Sequence, residues 1–183
     1  VRKASEGRPL YSRAATSSGR QAQSNIRRRV GRGWPTGAKQ LLQKRQTQRL
    51  LDNVQIAEGW RTIARGYYRA KKDIEALEAA WAADVVAPGS APLAYWWGGL
   101  AAWRLGNTED AETLFSALAQ SQRAADSLVA AGGFWAARAA IANGHPDRVT
   151  ALLEIGAAHE RHFYGLLSRR MLGATANFSW KKP

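Results

Sequence analysis

The side chains of this 183-residue chain best suited to chemistry are its carboxylates and histidines, and their spacing pairs few of them. Acid–base catalysis needs a carboxylate or imidazole held beside the reacting group, often opposite a second one. Glu109, Asp110 and Glu112 cluster within four residues, but they open an expected helix, where the N-terminal dipole favours acids without any catalytic role. Glu154 and Glu160 have no second carboxylate at a pairing distance in sequence. His159 and His162 are three apart and would share a helical face, yet two imidazoles without a third ligand do not make a metal site. His145 falls in an expected turn, where a structural or solvent-facing role is the simpler one. With no cysteine, disulfides, Cys-ligated zinc and thiol catalysis are excluded. The glycines at 31–37 lack the Gly-Lys-Ser/Thr ending of a phosphate loop and follow no strand. No local motif suggests a Ser/His/Asp triad. No cofactor, metal or catalytic residue is expected from these patterns.

Aromatic and basic residues offer binding rather than bond-making chemistry. Trp60, Tyr67, Tyr68, Tyr95, Trp96, Trp97, Trp103, Trp135 and Tyr164 recur through the middle and end of the chain. One aromatic per unit fills the seam between packed helices. Neighbours on a helix cannot all face inward, however, so at least one of Tyr95-Trp96-Trp97, and one of Tyr67-Tyr68, is expected at the surface. Exposed indoles and phenols suit the C–H faces of sugar rings. The formal charge of +13 is concentrated: residues 1–50 hold 13 Lys/Arg and one acid, Glu6, whereas residues 51–183 hold 14 Lys/Arg and 13 acids. Residues 1–37 read as a flexible basic arm with a short helix near 21–29. Such an arm binds an anionic polymer (nucleic acid or an acidic wall polymer) or an anionic membrane surface, or is a solvated tail.

The elements that must position these groups are helical. Alanine is abundant, β-branched residues are sparse, and no 18-residue apolar run occurs. Three signals place a glycine nine residues after an aromatic: Trp97 to Gly106, Trp135 to Gly144 and Tyr164 to Gly173. The first two units superpose at an offset of 38, which also aligns Ala111 with Val149 and Leu114 with Leu152. Helices are expected over 58–70, 74–83, 93–105, 127–143, 147–158 and 162–172, with another opening after Asn107 or Thr108. Gly106, Gly144 and Gly173 stop three of them and Pro146 starts one. Trp60 lies 37 before Trp97 and marks a degenerate earlier hairpin. A period in this range is that of an all-α, superhelical solenoid of stacked antiparallel helix hairpins resembling tetratricopeptide repeats, expected over 38–173.

The strings that build these units resemble the superhelical domain of bacterial soluble lytic murein transglycosylases. The likeness is carried by Tyr95-Trp96-Trp97 with Ala101-Ala102-Trp103-Arg104-Leu105-Gly106, and by Phe134-Trp135-Ala136-Ala137-Arg138-Ala139 with Gly144. It closes on Phe163-Tyr164-Gly165-Leu166-Leu167-Ser168-Arg169-Arg170-Met171-Leu172-Gly173, followed by Trp180. Members of that family cleave the glycan strands of peptidoglycan without water, leaving anhydromuramoyl ends. The resemblance implies a periplasmic location and peptidoglycan glycan strands as partner. It also implies a non-catalytic role, because the family's single catalytic Glu sits in a Glu-Ser motif of a C-terminal domain and this sequence has no Glu-Ser pair. Residues 174–183 would then be the junction to that missing domain. On this resemblance Tyr68, Tyr95, Trp96 and Arg104 would line the glycan-facing surface, with Arg169 and Arg170 near the junction. The alternative is a tetratricopeptide-like adaptor, without enzymatic activity, holding a protein partner in the solenoid groove.

Overall fold

Alanine-rich runs broken by turn residues every dozen or so positions give helices and little else. The computed structural model describes residues 17–174 and, within them, contains ten helices and no strand, so the chain is all-α as expected. They are α1 (Ser17–Gly31), α2 (Pro35–Gln43), α3 (Arg45–Leu50), α4 (Asn53–Arg69) and α5 (Asp73–Val86), followed by α6 (Pro92–Arg104), α7 (Thr108–Ala119), α8 (Asp126–Ala142), α9 (Pro146–Ala157) and α10 (Phe163–Met171). From α4 onward each helix packs on the next in the chain, and α4 on α6, α6 on α8, α7 on α9 and α8 on α10 add contacts at a step of two.

Local chemistry explains the boundaries. The Asp52 carboxylate accepts from the Gln55 backbone N–H at 2.8 Å, while the Gln55 side chain accepts from the Asp52 N–H at 3.1 Å, a reciprocal cap that starts α4. Asn107 caps α7 by accepting from the Asp110 N–H at 3.2 Å. Pro35, Pro92 and Pro146 each stand in the first turn of a helix, where the missing N–H costs nothing. Asp73 is the first residue of α5, and its side chain accepts from Arg104.

Five helices end in one hydrogen-bond pattern, in which a left-handed residue and its successor reach back to the last turn. Gly106 N–H donates to the Trp103 carbonyl at 3.2 Å and Asn107 N–H to that of Ala102 at 3.0 Å. Gly144 with His145, Gly173 with Ala174, and Gly33 with Trp34 repeat it. The fifth case is Lys71, at φ 58°, whose N–H reaches Tyr68 while Lys72 N–H reaches Tyr67. Gly33, Lys71, Gly106 and Gly144 therefore mark corresponding positions, with separations of 38, 35 and 38 residues.

That correspondence corrects the N-terminal boundary. The described part of the supposed flexible arm, residues 17–37, is the helix α1 and the start of α2, packed on each other and on α4. Gly19, Ala22 and Ile26 are buried, and Ile26 is only 1% exposed. Together with Val30, which packs against this core, they form a stripe at helical spacing that spans the short helix expected near 21–29. Residues 1–16 of the arm and 175–183 of the expected junction, including Trp180, lie outside the described residues.

Close approach of helices depends on two glycines of α8. A Cβ on Gly132 would stand 2.6 Å from the Ala119 backbone nitrogen, and one on Gly133 would stand 2.7 Å from the Leu152 carbonyl oxygen. The backbones of α7 and α9 thus approach α8 from two sides. That packing brings the aromatic residues of α6, α8 and α10 into one continuous set.

Candidate functional site

The aromatic set has two parts. Trp96 lies tilted at 5.9 Å from Phe115 and edge-on at 6.2 Å to Tyr164, which in turn lies 5.4 Å from Phe134. Trp135 lies 5.7 Å from Phe115 and meets Trp103 edge-on at 5.6 Å, so helices α6, α7, α8 and α10 share one aromatic seam. Trp97 and Trp135 bury their indole N–H groups with no hydrogen-bond partner among the described residues. At one edge the seam opens into a hollow of about 490 Å³ lined by Trp103, Phe134, Arg138, Ile141, Ala142 and Met171. The Arg138 guanidinium lies over the faces of Trp135 at 4.8 Å and Trp103 at 5.4 Å. Ile141 and Met171 are 54% and 48% exposed, so the hollow has an apolar, solvent-reaching rim.

The residues expected from sequence to line a binding surface are placed differently from one another. Tyr95 does not face solvent: it is 7% exposed and its hydroxyl donates to the Asp84 carboxylate while accepting from the Gly89 N–H at 2.9 Å. Burial first, and then that bond to Asp84, push the phenol up to about 12. Tyr95 is a clasp on the turn between α5 and α6, where Pro88 and Gly89 break the helix, and not a ligand contact. Trp96 is half-buried in the seam. Tyr68 and Arg104 do come together, with the guanidinium 3.7 Å from the ring centre. Arg104 also donates to the Tyr68 carbonyl at 2.9 Å and to the Asp73 carboxylate at 3.0 Å, and Tyr68 lies 5.4 Å from Trp97. These bonds spend much of the donor capacity of Arg104 on joining α4, α5 and α6. Arg169 is bonded to Glu160 across the turn between α9 and α10, so it too holds structure. Arg170 is exposed on α10.

One acid escapes the helix-dipole explanation. Glu109 and Asp110 do stand in the first turn of α7, but Glu112 is 3% exposed and faces the next unit. Its carboxylate accepts from Asn143 Nδ2 at 2.6 Å, lies 3.0 Å from His145 Nδ1, and is paired with Arg148. Asn143 also donates to the Thr108 carbonyl at 3.0 Å. Burial pushes the Glu112 carboxyl up, but the Asn143 and His145 bonds and the Arg148 charge outweigh it and hold the group below its ordinary value. With both oxygens engaged, Glu112 is an ionised tie between α7 and the turn leading into α9. An aligned acid and histidine are a common catalytic pairing, but here neither opens onto the hollow at Trp103. The sequence signal for this tie was the position of Glu112 between Ala111 and Leu114 on the apolar register of α7, with polar residues at 143–148 to meet it.

The other histidines stay apart. His159 lies in the turn after α9, 3.7 Å from Asp126, and His162 immediately precedes α10 without a capping bond from its side chain. They do not share a helical face, and among the described residues no group of three His, Asp or Glu could hold a metal ion. No helix of the described residues is long and apolar enough to cross a membrane. Comparison with protein families, with characterised proteins and with solved structures finds no match to this chain.

Proposed function

We propose that the chain is the non-catalytic superhelical scaffold of a periplasmic peptidoglycan lytic transglycosylase, holding glycan strands for cleavage by a catalytic domain. The observation that carries this reading is the hollow where Trp103, Phe134 and Arg138 meet, half-open and bordered by apolar side chains. Sugar rings present C–H faces to indole and hydroxyls to guanidinium. Support also comes from the helix ends at Gly33, Lys71, Gly106 and Gly144, whose near-constant separation fits a solenoid of stacked antiparallel hairpins. The closing helix Phe163–Met171 carries the string most like the family's last superhelical element. In this reading the surface is centred on Trp103 and Arg138, with Tyr68 and Arg104 as a second ledge and Trp96 as support from within the seam.

Co-sedimentation of the full chain with purified sacculi tests this. The chain is expected in the pellet, with affinity reduced about tenfold by Trp103→Ala and severalfold by Arg138→Gln. A chain that stays in the supernatant, or a pellet fraction indifferent to both substitutions, removes the reading.

A further inference from the structure

A second cleft, of about 540 Å³, lies near the other end of the helix series, between α1 and α4. It is lined by four arginines: Arg27 from α1, and Arg61, Arg65 and Arg69 from α4. Arg61 is paired with Glu58 at 2.7 Å. Among the described residues no carboxylate pairs with Arg27, Arg65 or Arg69. The three arginines of α4 follow at steps of four, which sets them on one face as like charges that repel. Nor are they needed to cap the helix ends. Arg32, Gly33 and Trp34 already donate to the last carbonyls of α1, and Ala70, Lys71 and Lys72 to those of α4.

The surroundings strengthen the field. Residues 17–72 hold 14 Lys/Arg against two acids, a balance of +12, whereas residues 73–174 hold seven against 11, a balance of −4. Positive charge is therefore collected in the first four helices, two of which form the walls of this cleft. A recess of this size with unpaired guanidinium groups on two facing helices is built to receive an anion.

We propose that this cleft binds an elongated, phosphate-bearing anion. The unpaired Arg65 and Arg69 stand about 6 Å apart along α4 and face Arg27 on the opposite wall, with Arg61 extending the row to about 12 Å, so the ligand carries at least two charged groups in a row. Phosphate suits the site better than carboxylate. A carboxylate accepts one guanidinium fork side-on, whereas a terminal phosphate has three oxygens and can engage two forks from opposite walls. The proposal does not depend on the glycan-scaffold reading, which is centred on Trp103 and Arg138 of α6 and α8 and uses none of the four arginines of this cleft, so the two can fail separately.

The test is calorimetric titration of the full chain with sodium tripolyphosphate at low salt, with citrate as a carboxylate of similar charge. Saturable binding is expected, weaker by about tenfold in each of Arg65→Gln and Arg69→Gln, and unchanged in Arg161→Gln, an exposed arginine remote in sequence from the cleft. Arg65→Lys, which keeps the charge and loses the fork, should fall between. In phosphate-free buffer Arg65→Gln should leave the melting temperature level or raise it, because it relieves repulsion, whereas an arginine serving the fold would lower it. Absence of saturable binding, an equal loss in Arg161→Gln, citrate binding as tightly as tripolyphosphate, or a lowered melting temperature would overturn the proposal.

Discussion

Single side chains divide here into those that read correctly from their neighbours in sequence and those whose role is set across helices. Asn107, Pro146 and the glycines after α6 and α8 act within a few residues, and local rules place them. Tyr95 and Glu112 act over longer range. The expectation that one of Tyr95-Trp96-Trp97 faces outward rests on helix geometry, but Tyr95 turns in to donate a hydrogen bond to Asp84, and Trp96 and Trp97 are each half-buried. Glu112 reads as one more acid at a helix start until Asn143, His145 and Arg148 arrive from more than thirty residues away. Its folded-state pKa is depressed, so its stabilising effect is complete above the ordinary value of 4.5 and is lost as pH falls through the folded value. Glu112→Gln should therefore lower stability by about 1–2 kcal/mol at neutral pH, at the modest end because Arg148 and His145 can return to water. The difference from the parent chain should close on acidification below that range, which denaturant melts at pH 7 and pH 3 would measure.

At the level of elements, the period was visible where glycine marks it and hidden where it does not. Trp97/Gly106 and Trp135/Gly144 announce two units, whereas the unit before them ends at Lys71, a residue that pays a left-handed backbone penalty in the same position. A side chain with a Cβ at φ 58° is strained, and glycine is not. Lys71→Gly should raise stability by about 0.5–1 kcal/mol, less than the full strain because glycine also loosens the unfolded chain. A drop in melting temperature would mean that Lys71 does more than close the turn. The first helix was legible only in part: a short helix was expected near 21–29, but its full length and its packing were not. Its inward stripe is Gly19, Ala22, Ile26 and the partly buried Val30, only two of them sizeable apolar residues among Arg, Gln and Ser, which gives a faint apolar signal. Packing against α2 and α4, not composition, decides that it is ordered.

On the scale of the whole molecule, the all-helical class follows from composition and turn spacing, and the structure bears it out over residues 17–174. The charge asymmetry also lies in the sequence, but its meaning changes once α1 and α4 are seen facing each other across the arginine cleft. The hollow at the aromatic seam was not legible, because Trp103 and Arg138 lie 35 residues apart and meet only through the close packing of α8 on its neighbours. Two surfaces thus emerge on the helical frame, one aromatic and one cationic. The decisive measurement is a tryptophan-fluorescence titration of the full chain with soluble glycan strands stripped of their stem peptides, run beside the free peptides. A glycan scaffold predicts a saturable change in emission that Trp103→Phe diminishes and the peptides do not reproduce. A flat response to glycan, above all with a response to peptides, would contradict it and leave a peptide-holding adaptor in its place.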